Sequence, residues 1–272
     1  MEMETEKALR KVVKSSVAKG SRKPGEFCFF NMITPRPKEA CEFFGALLGW
    51  TFTEVPGLHG YMVQVGGKNV GGLWDQHAPN TPEGTPAFIG LSVKVESADA
   101  AAAAAAKLGG KAGPAFDVMN AGRMAVITDP NGAQFDVWES KQHAGTEVDN
   151  RLPGAPSWFE SRTTDVARAS AFYAGLFGWK PEVVTPPGMS YTTFKRGEIY
   201  VGGMLECPPG MNVPPHWATF FNVEDVDAAA RKAAELGAAT CMPPTDIPGI
   251  GRFCALTSPQ GVAFQLIRYV AV

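Results

Sequence analysis

The chain has little of what membrane, redox and many metal proteins require. Its 272 residues hold four histidines and five cysteines. Cys28, Cys41, Cys207, Cys241 and Cys254 form no CxxC pair and no zinc spacing, so the sequence offers no zinc ribbon or dithiol centre. An odd, scattered set suits a reducing compartment, where thiols act as small buried apolar groups. No run of about 18 apolar residues exists, which excludes a spanning helix of ordinary composition. Met1 to Lys7 lacks the basic-then-apolar order of a secretory signal, and a cytoplasmic location is expected. No glycine-rich loop leads into a helix. Gly71-Gly72 and Gly202-Gly203 are therefore read as points of sharp sheet curvature, not phosphate loops.

Neither sign of charge dominates, at a net −2. Residues 1–25 carry seven Lys/Arg and three Glu, and read as a solvated basic tail. The remaining acidic body argues against nucleic acid as the main partner.

What the chain does have is an internal echo. Glu42 to Trp50 (EFFGALLGW) returns 129 residues later as Ala171 to Trp179 (AFYAGLFGW). Near that offset Tyr61 answers Tyr191, Gly71-Gly72 answers Gly202-Gly203, and Gly122-Arg123 answers Gly251-Arg252. Thr128-Asp129-Pro130-Asn131-Gly132 answers Thr257-Ser258-Pro259-Gln260-Gly261. The chain is a tandem duplication.

Each copy resolves into two β-α-β-β-β units. Cys28–Thr34 reads as a strand, and Pro37–Leu48 as a helix stopped by Gly49. Tyr61–Val65 and Asn69–Trp74 form a hairpin around Gly66-Gly67-Lys68. The order repeats from Ala87, with a helix through seven consecutive alanines, Ala100–Ala106. The second half predicts helices near 166–177 and 226–236. The expected layout is a tail over 1–25, a first domain over 26–140, an exposed linker over 141–156 and a second domain over 157–270. The fold class is α+β.

Four such units in two tandem pairs resemble the vicinal oxygen chelate superfamily of glyoxalases, bleomycin-resistance proteins and extradiol dioxygenases. The likeness rests on Phe172-Tyr173-x-x-Leu176-Phe177-Gly178-Trp179, on Val223-Glu224-Asp225-Val226-Asp227-Ala228 and on the Asp129-Pro130-Asn131-Gly132 turn. The Gly-Arg signature from Gly122 and Gly251 is similar to that of a two-domain glyoxalase-like group that includes a mycobacterial secreted antigen. The resemblance implies curved sheets forming cups, with one divalent ion in metal-dependent members.

The ligand positions it implies hold Phe29 and Trp158 on the first strands, Gly90 and Ala218 on the next, and Asp136 and Gln265 on the last. Three or more O/N donors are needed, so no metal centre is expected. His216, two residues from a ligand position, leaves a divalent ion at a shifted site as an alternative.

Strand alternation puts Trp158, Glu160 and Arg162 on one face, and Phe29, Asn31 and Ile33 on the equivalent one. Asp136 and Trp138, or Gln265, complete a cup. If pairing crosses the halves, Glu160 meets Asp136 as a carboxylate pair able to act as general acid/base. If pairing is local, Asn31 faces Asp136 and Glu160 faces Gln265. Glu160 alone could instead pair with an arginine and order the cup. Arg123 and Arg252 are candidate anion clamps or partners of Asp117 and Asp246. The expected function is binding of a small organic molecule in a metal-free cup. It would serve lyase, isomerase or hydroxylase chemistry with Glu160 and Asp136 as catalytic residues. The alternative is sequestration, with Trp158 and Trp138 stacking a planar ligand. The chain is expected to be a monomer of pseudo-twofold halves or a homodimer.

Overall fold

The computed structural model describes residues 2–79, 81–185, 190–207 and 213–271. In chain order the first half runs α1 (Glu2–Ser15), β1 (Phe27–Thr34), α2 (Pro37–Leu48), β2 (Thr51–Val55), β3 (Gly60–Val65) and β4 (Lys68–Asp75). It continues with β5 (Phe88–Val95), α3 (Ala98–Lys107), β6 (Lys111–Ala112), β7 (Phe116–Val118), β8 (Gly122–Thr128) and β9 (Gln134–Ser140). The second half holds β10 (Pro156–Thr163), α4 (Val166–Phe177), β11 (Lys180–Val184), β12 (Tyr191–Arg196) and β13 (Ile199–Glu206). It ends with β14 (His216–Asn222), α5 (Val226–Glu235), β15 (Ala239–Ile247), β16 (Gly251–Thr257) and β17 (Ala263–Tyr269).

Local chemistry sets these boundaries. Pro37 opens α2, and Gly49 ends it at a positive φ of 68°. Ser97, Asp165 and Asp225 cap α3, α4 and α5 by accepting from backbone N–H groups. Gly66 and Gly67, both at positive φ, give the two-residue hairpin between β3 and β4.

Each half forms its own sheet, in the orders β2-β3-β4-β1-β5-β9-β8-β6 and β11-β12-β13-β10-β14-β17-β16-β15. The two units of a half therefore join through an antiparallel pair, β1 with β5 and β10 with β14. Pairing is local, so Asn31 shares a cup with Asp136, while Glu160 shares the other with Gln265. The alternative with Glu160 facing Asp136 is not realised.

The convex faces and the helices build one core across both halves. The Phe30 ring lies 5.3 Å from Phe221, and Phe44 lies 5.2 Å from Phe264. Phe135 on β9 packs on Tyr173 of α4 at 5.7 Å. Trp50 Nε1 donates to the Gly154 carbonyl at 2.8 Å, and Trp179 Nε1 donates to Gly25 at 2.8 Å. Each of these partners is its counterpart by the 129-residue offset.

The duplicated Asp-Pro turn has a similar job. Asp129 Oδ1 accepts from the N–H groups of Asn131, Gly132 and Ala133 at 2.8–2.9 Å, while Oδ2 accepts from Tyr173 Oη at 2.9 Å. At the equivalent positions stand Ser258 and Phe44, a pair that makes no such bond.

Three expectations change. The basic tail is the helix α1, because Leu9, Val12 and Val13 fall at helical spacing and are buried. The linker is packed rather than exposed: Thr146, Val148 and Asn150 are buried, and Gly145 sits at φ 88° against Cys28. The paired glycines serve close approach rather than curvature. A Cβ at Gly72 would collide with the Trp74 ring, and one at Gly203 with the Tyr191 hydroxyl. The thiols are all free, and Cys241 is exposed.

Candidate functional site

The concave face of each sheet is a cup, and the two cups differ. In the first, Phe29, Asn31, Trp74, Phe88, Met124 and Asp136 all keep partial access to solvent. Trp74 lies over the space left by Gly72, and its Nε1 donates to Asn31 Oδ1 at 2.9 Å. That bond fixes the amide orientation. Asn31 Nδ2 then points at Asp136 Oδ2, at 3.3 Å, and at Ser92 Oγ, at 3.4 Å. No cation pairs with Asp136 among the described residues. Burial in the cup floor pushes its carboxyl up to about 7, against the weaker opposing effect of the Asn31 hydrogen bond. The group touches the open cup, yet protein surrounds it on its other sides. It is therefore both reachable and poorly hydrated.

The second cup is sealed. Trp158, Glu160, Phe220 and Ile267 are 8%, 5%, 4% and 3% exposed. Val12 of α1 packs on Trp158, Tyr200, Phe220 and Ile267. The end of α1 is tied down from the linker, where Arg151 donates to Val13 O at 3.0 Å and Ser16 Oγ at 2.7 Å while stacking on Tyr269. Trp158 Nε1 donates to Tyr191 Oη at 2.8 Å, and that hydroxyl is directed at Glu160.

Arg162 Nη2 lies 2.6 Å from Glu160 Oε1, an ion pair without hydrogen-bond alignment. Burial raises the Glu160 carboxyl above its usual range, and the Arg162 charge opposes the shift. Gln265 Oε1 is buried with no hydrogen-bond partner among the described residues. His216 Nδ1 lies 2.9 Å from Pro214 O at the rim.

The covers of the two cups are exchanged between halves. α1 precedes the first half and caps the second cup. The linker precedes the second half and lines the first cup, where the His143 ring stands edge-on to Phe29 at 4.9 Å and lies 6.0 Å from Trp138. Trp138 Nε1 donates to the His143 carbonyl at 3.0 Å. Burial lowers the His143 pKa. Between the halves a void of about 40 Å³, bordered by Phe29, Asn150 and Trp158, has room only for a few waters.

Arg123 and Arg252 are not at a cup mouth. They lie on the opposite face of their strands and bind the first turns of the helices. Arg123 holds Asp99 at 2.7 Å and Asp117 at 3.5 Å; Arg252 holds Asp227 at 2.7 Å and Asp246 at 2.9 Å. With two carboxylates each, neither is available as an anion clamp.

Sequence reading passed over Trp74, Tyr191, Ser92 and His143 as parts of the cups. Trp74 was detectable as an aromatic two residues after a Gly-Gly pair. The Tyr61 echo misled, because Tyr61 pairs with Leu73 and faces the core, whereas Tyr191 lies over Gly203 in the cup.

The metal question turns on donors. No group of three His, Cys, Asp or Glu side chains able to hold an ion occurs among the described residues. The first cup offers one carboxylate and an amide. In the second, the Arg162 guanidinium already stands where a cation would meet Glu160. Neither set fits a divalent ion of the kind this fold carries elsewhere.

Comparison with known proteins agrees with this architecture. Residues 156–266 match the glyoxalase/bleomycin resistance protein/dioxygenase superfamily model, and residues 28–138 match a glyoxalase-like domain. CFP32 of Mycobacterium tuberculosis (strain CDC 1551 / Oshkosh) is 36% identical over 244 residues, covering 88% of this chain and 92% of that protein. The anthracycline biosynthesis protein DauV of Streptomyces sp. (strain C5) is 33% identical over 260 residues, covering 90% and 94%. The fold is shared with the Mn(II)-bound glyoxalase of Novosphingobium aromaticivorans, at TM-score 0.62 and 14% identity over 90% of this chain and 82% of that one. It is shared also with the 2,3-dioxygenase LapB of Pseudomonas sp. KL28, at TM-score 0.61 and 15% identity over 93% and 95%. Two matched domains and close relatives spanning nearly the whole length place this chain in the glyoxalase/bleomycin resistance/dioxygenase superfamily, as a member with two tandem domains.

Proposed function

We propose that the first cup binds a small organic molecule and that Asp136 acts there as a general acid/base without a metal, in an isomerase- or lyase-type proton transfer. The observation that carries this reading is the Asp136 carboxyl itself: in part exposed, unpaired with any cation among the described residues, and shifted to about 7. A group half-ionised near neutral pH can both take and give a proton, where an ordinary aspartate only accepts one. Asn31, oriented by Trp74, steadies the ionised form through Nδ2. The ionised carboxylate would remove a proton from carbon beside a carbonyl, and the protonated form would return it to the product. Phe29, Trp74 and Phe88 supply aromatic walls that suit a planar substrate. The relationship to proteins named for anthracycline biosynthesis is in keeping with such a substrate.

Glu160 is the weaker candidate. Its ion pair with Arg162 and the α1 cover give it a part in ordering the second cup. Sequestration remains the second reading, favoured by the apolar walls of both cups.

The test is a thermal-shift screen of aromatic carbonyl compounds, followed by product analysis for each binder. Asp136→Asn should bind the same compounds and lose turnover, and kcat/KM of the parent should show a limb near pH 7. Turnover that survives Asp136→Asn ends the catalytic claim. Binding without turnover in the parent protein selects sequestration.

A further inference from the structure

Beside the first cup lies a groove of about 410 Å³, lined by Gln64, Lys68, Asn69, Gln142, His143 and Glu147. His143 belongs to both, since its ring also rests on Phe29 and lies near Trp138 in the cup wall. The strands carry the groove away from the cup floor. Asn69 stands three residues before Gly72, the partner of Asn31, and Gln64 stands two residues after Met62. At about 3.3 Å per residue, groove and floor are roughly 10 Å apart.

The second half shows what this position becomes when it is not a site. The pair Gln64–Asn69 is matched there by Lys195–Tyr200, at the same place in the strand register. Tyr200 fills the space with an aromatic ring, donates its hydroxyl to Glu182, and is buried in the same cluster as Val12. In the first half the same place is open and polar.

The lining has an unusual balance. Three carboxamides supply both donors and acceptors, with Gln64 Oε1 already accepting from Thr53 Oγ1 at 3.5 Å, and the charges of Lys68 and Glu147 oppose each other. Gln64 Nε2 already donates to Asn69 Oδ1 at 3.0 Å, which orients both amides and leaves Asn69 Nδ2 without a partner among the bonds described. Glu147 Oε1 accepts from Ser21. A set that offers donors and acceptors side by side, with no net sign, matches hydroxyl groups better than a phosphate or an ammonium.

We propose that this groove is the second part of the first-cup site and takes a neutral polyhydroxylated appendage, sugar-like in chemistry and size. The ligand's aromatic ring system then lies in the cup. This inference rests on the cup reading above and names its ligand class: an aromatic O-glycoside or an equivalent polyol conjugate about 10 Å long.

Matched pairs test it: 2-naphthol with 2-naphthyl β-D-glucoside, and 7-hydroxycoumarin with its β-D-glucoside, titrated into the full chain by calorimetry. Each glucoside should bind at least tenfold tighter than its aglycone. Asn69→Leu and Gln142→Leu, each with an unaltered melting temperature, should remove that gain. Equal affinities within both pairs, or a gain that survives both substitutions, overturn the groove while leaving the cup intact. If neither member of either pair binds, cup and groove fall together. If the glucosides bind tightly and Phe88→Ala changes nothing, the cup reading alone fails.

Discussion

Replacing Asp136 by Asn should stabilise the protein above neutral pH, although the side chain lies at the centre of the candidate site. The carboxyl holds its proton more tightly when folded, with a pKa near 7, than when unfolded, near 3.8. The folded state therefore gains from the proton fully below about pH 4, and that gain is lost as pH rises through 7. Over this interval the slope is about 1.4 kcal/mol per pH unit, so pH 5 to 7 removes up to about 3 kcal/mol. Contact with water in the open cup screens the effect, and about half, roughly 1.5 kcal/mol, is the expected loss. For a chain of this length that is about 3–4 °C in melting temperature. Asparagine keeps the shape, still accepts from Asn31, and never ionises. From pH 5 to pH 8 the gap between the melting temperatures of the two proteins should widen by that amount, in favour of the variant. Parallel curves, or a variant less stable at pH 8, would refute the picture of a poorly hydrated, unpaired carboxyl.

Other substitutions probe the rest of the architecture. Val12→Asp places a charge against Trp158, Phe220 and Ile267, and should cost about 3 kcal/mol; an unchanged melting temperature would mean that α1 does not seal the second cup. Tyr173→Phe removes the only side-chain bond to Asp129 Oδ2 among those described. Combined with Asp129→Ser it recreates the Phe44/Ser258 pair of the other half, so the double variant should lose about 1 kcal/mol less than the two single losses added; strict additivity would deny the coupling. Elemental analysis of protein purified without chelator should find no stoichiometric Zn, Mn, Ni or Fe. About one equivalent, removable with loss of binding, would contradict the donor argument.

The sequence by itself determined the repeat, and with it the four β-α-β-β-β units, the helices inside them and the inward faces of their first and last strands. These follow from local chemistry: capping residues at helix starts, glycines at helix ends, and period-two alternation along strands. It also put Asn31, Asp136, Glu160 and Gln265 on inward faces of their strands. It could not decide whether Asp136 met Glu160 or Asn31, because strand alternation gives a face and not a partner. Only the sheet order β1-β5-β9 decided that, and it separated the two carboxylates into different cups.

The tertiary structure decided the rest for the same reason. The basic tail reads as solvated until Val12 joins Trp158, Tyr200 and Phe220, 146 and more residues away in sequence. The linker reads as exposed until Asn150 and Arg151 are seen holding α1. Arg123 and Arg252 read either as clamps or as partners of Asp117 and Asp246 until their strands turn them toward the helices. The two cups descend from one repeat, and their difference in access comes from a helix over one and a single histidine beside the other. That difference depends on contacts between distant segments, which no local pattern records.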